Sequence, residues 1–277
     1  MNWIGLDALL CAALEEDLGT GDITTESCIP AEAVSRGGFR AKEDMVVCGL
    51  DVAKRTFALV DEKVVFTPLT EDGARAKKGD IIARVEGNSR SILMGERVSL
   101  NLMQRMCGIA TRTAEAVAAV AGTKARIVDT RKSTPGLRVL EKYAVRVGGG
   151  ANHRFNLADG VLIKDNHIRA AGGITQAIEA VRQNAPHTLR IEVETETLDE
   201  VREAIAAGAD VIMLDNMDNE MMREAVGVIA GRAVTEASGN MGDRDLRAVA
   251  ETGVDVISIG ALTHTVRSSD ISLKFNI

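Results

Sequence analysis

Leu189-Arg-Ile-Glu-Val-Glu194, Asp210-Val-Ile-Met-Leu-Asp215, Ala233-Val-Thr-Glu236 and Val254-Asp-Val-Ile-Ser258 are four short runs of one design. Each is largely apolar, ends on a polar residue and precedes the start of a helical pattern. The polar residues Glu194, Asp215, Glu236 and Ser258 recur every 21 or 22 residues. Such a period is a βα repeat, and a compact one, as in a parallel barrel. Strands buried on both faces read as near-continuous apolar runs. Ile127-Val-Asp129 and Gly160-Val-Leu-Ile-Lys164 extend the series upstream. Barrel enzymes place their chemistry at the C-terminal ends of the strands. Asp129, Lys164, Glu194, Asp215, Glu236 and Ser258 are therefore expected to ring one mouth, and packing alone does not ask for six polar strand ends.

Next to that ring lies an excess of cations. Between Arg126 and Arg169 nine Lys or Arg face four acids, in a chain whose formal net charge is −7. A positive island in an acidic protein suits an enclosed site for a small polyanion. It does not suit general nucleic-acid binding, which leaves a broad basic surface. Arg131, Lys132, His153, Arg154 and Lys164 fall near the mouth. Arginine offers a planar fork that matches a carboxylate, and lysine a point charge, so Arg131 and Arg154 could hold one dicarboxylic substrate. Arg138, Lys142 and Arg146, spaced on a helix, fit a solvated face as well as a site. Glu194 and Asp215 could take Mg²⁺, directly or through water, or accept from sugar hydroxyls. Ala237-Ser-Gly239 and Ser258-Ile-Gly-Ala261 follow the last two strands, where barrels often cradle a phosphate on backbone N–H groups.

The remainder of the chain bounds these readings. In 277 residues, 45% are hydrophobic and 26% charged, with only 3% aromatic. That describes a globular protein with an aliphatic core. Cys11, Cys28, Cys48 and Cys107 lack metal-ligand spacing, and reduced thiols in the cytoplasm are expected. The N-terminal residues have no basic region ahead of an apolar stretch, and no run is long enough to span a membrane. The first hundred residues read as mixed α and β. A helix covers 4–18, an extended segment starts at Asp22-Ile-Thr-Thr25, short strands lie in 34–48 and 63–85, and a helix falls near 50–60. A small hairpin is expected around Gly79-Asp80. A long helix follows from Arg90 to about Ala121, with Gly108 as a break or a close-contact point.

These residues resemble a known family, the quinolinate phosphoribosyltransferases (nicotinate-nucleotide pyrophosphorylases, carboxylating). The resemblance runs from Gly21-Asp-Ile-Thr-Thr25 through Glu96-Arg-Val-Ser-Leu-Asn101, Asp129-Thr-Arg-Lys-Ser-Thr-Pro-Gly136, Asn152-His-Arg154, Leu162-Ile-Lys-Asp-Asn-His167, Glu192-Val-Glu194, Met213-Leu-Asp-Asn216 and Glu236-Ala-Ser-Gly239 to Gly260-Ala-Leu-Thr-His264. It implies an α/β protein with an N-terminal α/β sandwich domain, residues 1–110, and an incomplete C-terminal α/β barrel, residues 111–265. The tail, 266–277, would pack back on the first domain. It implies quinolinate and 5-phosphoribosyl 1-pyrophosphate as substrates, Mg²⁺ as cofactor, and a homodimer in which Arg97 reaches the partner's site. Arg131, Lys132, His153, Arg154 and Lys164 would hold the carboxylates and neighbouring phosphates. Glu194 and Asp215 would serve the ribose and Mg²⁺, and Ser238, Gly239, Gly260 and Ala261 the 5′-phosphate, with Lys132, Lys164, Glu194 and Asp215 closest to the chemistry. Ser133, Asn240-Met241 and Thr265 depart mildly from the family pattern. Two alternatives remain: a molybdenum-transport-associated paralogue of the same family, and a barrel aldolase or lyase using a Lys164 Schiff base.

Overall fold

The computed structural model describes residues 3–275. The first part of the chain forms α1 (Trp3–Leu18), α2 (Ile23–Cys28), β1 (Val34–Ala41), β2 (Met45–Val46), α3 (Leu50–Val60), β3 (Val65–Pro68), β4 (Arg75–Ala76), β5 (Ile81–Asn88) and α4 (Ser89–Ala119). Then come β6 (Arg126–Val128), α5 (Arg138–Val147), β7 (Val161–Ile163), α6 (Asp165–Ala171), α7 (Ile174–Asn184), β8 (Ile191–Thr195), α8 (Leu198–Ala206), β9 (Val211–Asp215), α9 (Asn219–Ile229), β10 (Val234–Ser238), α10 (Leu246–Ala250), β11 (Val256–Ser258), α11 (Ala261–His264) and β12 (Ile271–Phe275). Two compact units result. One runs to Ala114 and takes in Pro135–Gly149 and the chain from Val266 on; the other is Glu115–Thr134 with Gly150–Thr265.

The first unit is built on an antiparallel sheet of order β12-β1-β5-β3. Leu6, Leu10 and Leu14, four residues apart on α1, are all buried, as one face of an amphipathic helix requires. Phe39, Phe57 and Phe66 meet at the centre with ring centroids 5.4 to 6.0 Å apart. In a chain this poor in aromatics, that cluster supplies bulk that the aliphatic residues cannot. The Asp72 carboxylate closes the start of α3 by accepting from Gly49 N and Leu50 N at 3.0 and 3.1 Å. It also accepts from Tyr143 Oη at 2.9 Å. Arg105 donates to the buried Glu141 from Nε and Nη2 at 2.9 and 2.6 Å. Tyr143 and Glu141 lie on α5, so these bonds explain why residues 135–149 belong to the first unit. The positive island is thereby split: α5, with its buried Lys142, is not part of the barrel unit.

Two local expectations change, and a third narrows to one of its alternatives. Asp22-Ile-Thr-Thr25 opens a helix, because the Asp22 carboxylate accepts from Thr25 N at 2.9 Å and caps α2, the role Asp plays at an N-cap. Gly79-Asp80 does not turn a hairpin: β4 pairs with β2, while β5 pairs with β1 and β3. Gly108 does not break α4. A Cβ there would lie 2.2 Å from the Arg267 carbonyl oxygen, so it is the close-contact point.

The second unit is a parallel sheet of order β6-β11-β10-β9-β8-β7. Among the described residues β6 and β7 do not pair with each other, so the barrel is incomplete. Ala151 instead bridges Val128 in parallel, which draws the segment 150–154 alongside β6. The loops after the strands are short because helix caps end them. Thr197 and Glu200 form a capping box on α8, and Asp218 and Asp245 cap α9 and α10. The α/β class, with an antiparallel N-terminal sheet and a parallel C-terminal one, is the class the family resemblance implies, and the βα period accounts for its parallel part.

Candidate active site

The C-terminal ends of the six parallel strands enclose a cavity of about 540 Å³, the size of a small-molecule site. Residues after both sheet edges line it, Arg131 after β6 and Lys164 after β7, so the sheet curves around one mouth. Arg131, Lys132, His153, Arg154 and Lys164 line the cavity together with Glu194, Asp215, Ser238, Gly239, Gly260 and Ala261. Arg97 is not among them; it is exposed on α4 in the first unit. Asp129 is not an open group of the ring either. It is fully buried, and its carboxylate is used as a brace, accepting from Asn152 Nδ2 at 2.6 Å and from His153 N at 2.9 Å.

The cations are presented by short-range bonds. Thr130 Oγ1 accepts from Lys132 N at 3.0 Å, and Ser133 N donates to Arg131 O at 2.9 Å, a tight turn from which both neighbouring side chains reach the cavity. Arg131 Nε is buried without a hydrogen-bond partner. Arg154 donates from Nη1 to Gly160 O at 2.8 Å, and its guanidinium is held below its ordinary range by burial and then by the charge of Arg131. Two guanidinium groups that repel inside one cavity, one with an orphaned donor, form a site that an anion of two charges would relieve. Lys132 runs toward the loop after β11: its Cδ would lie 3.1 Å from a Cβ at Gly260, and its carbonyl accepts from Thr263 Oγ1 at 2.7 Å.

Opposite the cations stand the carboxylates. Glu194 Oε2 is 3.0 Å from Lys164 Nζ, and Lys164 N donates to His167 Nδ1 at 2.9 Å. Asp215 Oδ2 accepts from Asn216 Nδ2 at 2.6 Å. Asn216 holds a left-handed backbone, φ 55°, and donates its N–H to Ser238 O at 3.1 Å. Gly239, at φ +93°, leaves the space for it, since a Cβ there would lie 2.3 Å from Asn216 Oδ1. Such conformations are rare outside glycine and asparagine and gather at functional sites.

Glu236 and Ser258 line the cavity, as the ring of polar strand ends predicts; Glu192, inside β8, is a further carboxylate that the strand ends do not reveal. Glu192 and Glu236 are buried at 7% and 4% exposure, and with His153 they form a cluster whose ligand atoms lie within 4.8 Å of one another. Burial, and then the charge of Glu192, raise the Glu236 carboxyl to about 7. Alternation would have found Glu192, since residues two apart on a strand share a face and Glu194 faces the mouth. β10 runs two residues past Glu236, to Ser238, so Glu236 lies within the strand and not at its end.

With the site in view, comparison with known proteins is direct. Residues 22–107 match the N-terminal domain and residues 109–274 the C-terminal domain of quinolinate phosphoribosyl transferase. The probable nicotinate-nucleotide pyrophosphorylase [carboxylating] of Bacillus subtilis is 48% identical over 277 residues, covering 100% of this chain and 96% of its own length. The nicotinate-nucleotide pyrophosphorylase structure from Francisella tularensis superposes with a TM-score of 0.94 at 39% identity, covering 98% of this chain and 96% of that one. NadC from Streptococcus pyogenes does so with a TM-score of 0.93 at 42% identity, over 100% and 99%. Matched along nearly its whole length by both domain models, the chain belongs to the quinolinate phosphoribosyltransferase family.

Proposed function

We propose that the chain transfers the phosphoribosyl group of 5-phosphoribosyl 1-pyrophosphate to quinolinate with decarboxylation, giving nicotinate mononucleotide, pyrophosphate and CO₂ in NAD synthesis. The observation that carries the reading within the cavity is the Arg131–Arg154 pair, two confined guanidinium groups suited to a dicarboxylate. Quinolinate brings two adjacent carboxylates, and arginine binds such groups bidentately. Lys132, beside Gly260, and the small residues Ser238, Gly239 and Ala261 suit the phosphates. His153 lines the clamp beside Arg154.

Glu194 and Asp215 fit Mg²⁺, which prefers one or two carboxylates completed by water and substrate phosphates. Held by Glu194 and Asp215, Mg²⁺ would supply positive charge to offset that of the pyrophosphate leaving group. The same two carboxylates face the ribose and offset positive charge as the bond from C1 to pyrophosphate breaks. The clamp holds the pyridine nitrogen against C1, and the new N–C1 bond makes the ring cationic. That ring takes up the electron pair released when the neighbouring carboxylate leaves as CO₂, and a proton then replaces the carboxylate. Because the substrate supplies its own electron sink, the protein contributes mainly positioning.

In this reading two copies assemble so that Arg97, exposed on α4, enters the neighbouring site. The enzyme works in the cytoplasm, where its four free cysteines stay reduced. Among the described residues no helix is long and apolar enough to cross a membrane. Schiff-base chemistry at Lys164 is disfavoured because its side chain is nearly half exposed and its Nζ is ion-paired with Glu194, the opposite of a desolvated amine. Replacing Arg131 with alanine should weaken quinolinate binding at least ~100-fold, or ~2.7 kcal/mol, in calorimetric titration, while the circular dichroism spectrum is unchanged. Undiminished binding would remove the clamp from the account.

A further inference from the structure

We infer that Glu192 is a positioning residue of the carboxylate clamp, acting through the imidazole of His153 on Arg154. The inference rests on the proposed role of Arg154 as a clamp for the substrate carboxylates.

The geometry starts at the ring. His153 Nδ1 accepts the backbone N–H of Arg154 at 2.8 Å. A nitrogen that accepts carries no proton, so the ring proton sits on Nε2. Nε2 lies 3.1 Å from Glu192 Oε2 and 3.7 Å from Glu236 Oε1. Both ring nitrogens are therefore engaged by the protein, one by the main chain that leads into Arg154 and the other by Glu192 in β8, while Glu236 Oε1 in β10 stays beyond hydrogen-bond reach and without a hydrogen-bond partner. The backbone on the other side of the ring is fixed as well, because His153 N donates to the buried Asp129 at 2.9 Å. Residues 152–154 have no regular secondary structure of their own. Their place is set by two buried acids, Asp129 after β6 and Glu192 in β8, and Arg154 leaves this brace toward Arg131.

The same geometry decides what the cluster is not. His153, Glu192 and Glu236 have the composition and proximity of a metal site. A metal on Nε2 needs the lone pair there and the proton on Nδ1, yet Nδ1 already accepts from Arg154 N. The two nitrogens cannot serve both arrangements. The cluster is thus a scaffold for the clamp: Glu192 holds the ring that leads into Arg154, and its charge also favours the guanidinium. At metal centres, carboxylates behind a ligating histidine orient its ring in this manner; here the group finally aimed is a guanidinium.

The test separates positioning from mere stability. In Glu192→Ala the ring loses its anchor, and quinolinate affinity should fall ~10- to 100-fold, measured by calorimetry on the full chain. The affinity for 5-phosphoribosyl 1-pyrophosphate should stay within about twofold. Glu192→Gln, whose amide oxygen still accepts from Nε2–H, should recover most of the loss. Equal weakening for both ligands, or no rescue by glutamine, contradicts the inference. Arg154→Ala is measured in parallel. If it leaves quinolinate affinity intact, the clamp reading itself fails; if it weakens binding while Glu192→Ala does not, only the positioning role fails. Should Glu192→Ala not fold, ¹⁵N NMR of the wild-type protein still decides, with four histidines to assign. His153 should show an unprotonated Nδ1 and a protonated Nε2. A protonated Nδ1, or a bound metal found by elemental analysis and lost in His153→Ala, overturns it.

Discussion

Arg131 and Arg154 set the finest scale of the account. Their value lies in planar forks, not in charge alone. Arg131→Lys, which keeps the charge, should therefore recover little, with the KM for quinolinate raised ~30- to 100-fold and the KM for 5-phosphoribosyl 1-pyrophosphate nearly unchanged in steady-state kinetics. Glu236 gives a second prediction at this scale. The native carboxyl holds its proton to about 7, whereas its ordinary value is 4.5. Between those values the unfolded chain binds fewer protons than the native one, so stability falls as pH rises through the window and levels off above it. Glu236→Gln removes that slope. Its melting temperature relative to wild type should be higher at pH 8 than at pH 5, by a few degrees on a scale of ~2–4 °C per kcal/mol. The cations were legible in the sequence because each stands just after an apolar run, next to a turn. Glu192 was not, because attention to strand ends passes over a residue inside a strand, and Asp129 was legible as polar but not as a buried brace.

Among the elements, the strands of the barrel announced themselves, since a parallel strand buried on both faces is continuous in its own sequence. Elements that depend on distant partners did not. β5 carries turn residues before it, as a hairpin strand would, yet its partners are β1 and β3. Asp22 signals a helix cap, but the six residues of α2 are too few to show a period. The loop after β10 is the element where geometry presses hardest on function. Gly239→Ala would strain a backbone at φ +93° and push on Asn216, which holds the Asp215 carboxylate. We expect kcat/KM to fall about 100-fold, ~2.7 kcal/mol of transition-state stabilisation, with quinolinate binding retained. Loss of quinolinate binding instead would place the loop on the other substrate.

At the scale of the whole molecule, the period and the positive island led to the barrel and its mouth, but not to the assignment of α5 to the first unit. That assignment rests on Asp72 and Arg105, residues far from α5 in sequence, and no local pattern encodes them. The proposed homodimer is tested by mixing subunits. If Arg97 serves the neighbouring site, Arg97→Ala and Arg131→Ala proteins, each inactive alone, should regain about a quarter of wild-type activity after subunit exchange, because each mixed dimer has one intact site. No recovery would return Arg97 to a surface role. The most direct test of the central claim is product stoichiometry with the purified protein, Mg²⁺ and 5-phosphoribosyl 1-pyrophosphate. One CO₂ and one pyrophosphate should appear per quinolinate consumed, and none with nicotinate as the acceptor. Turnover of nicotinate, or pyrophosphate release from quinolinate without CO₂, would contradict a cavity built to hold a dicarboxylate through its decarboxylation.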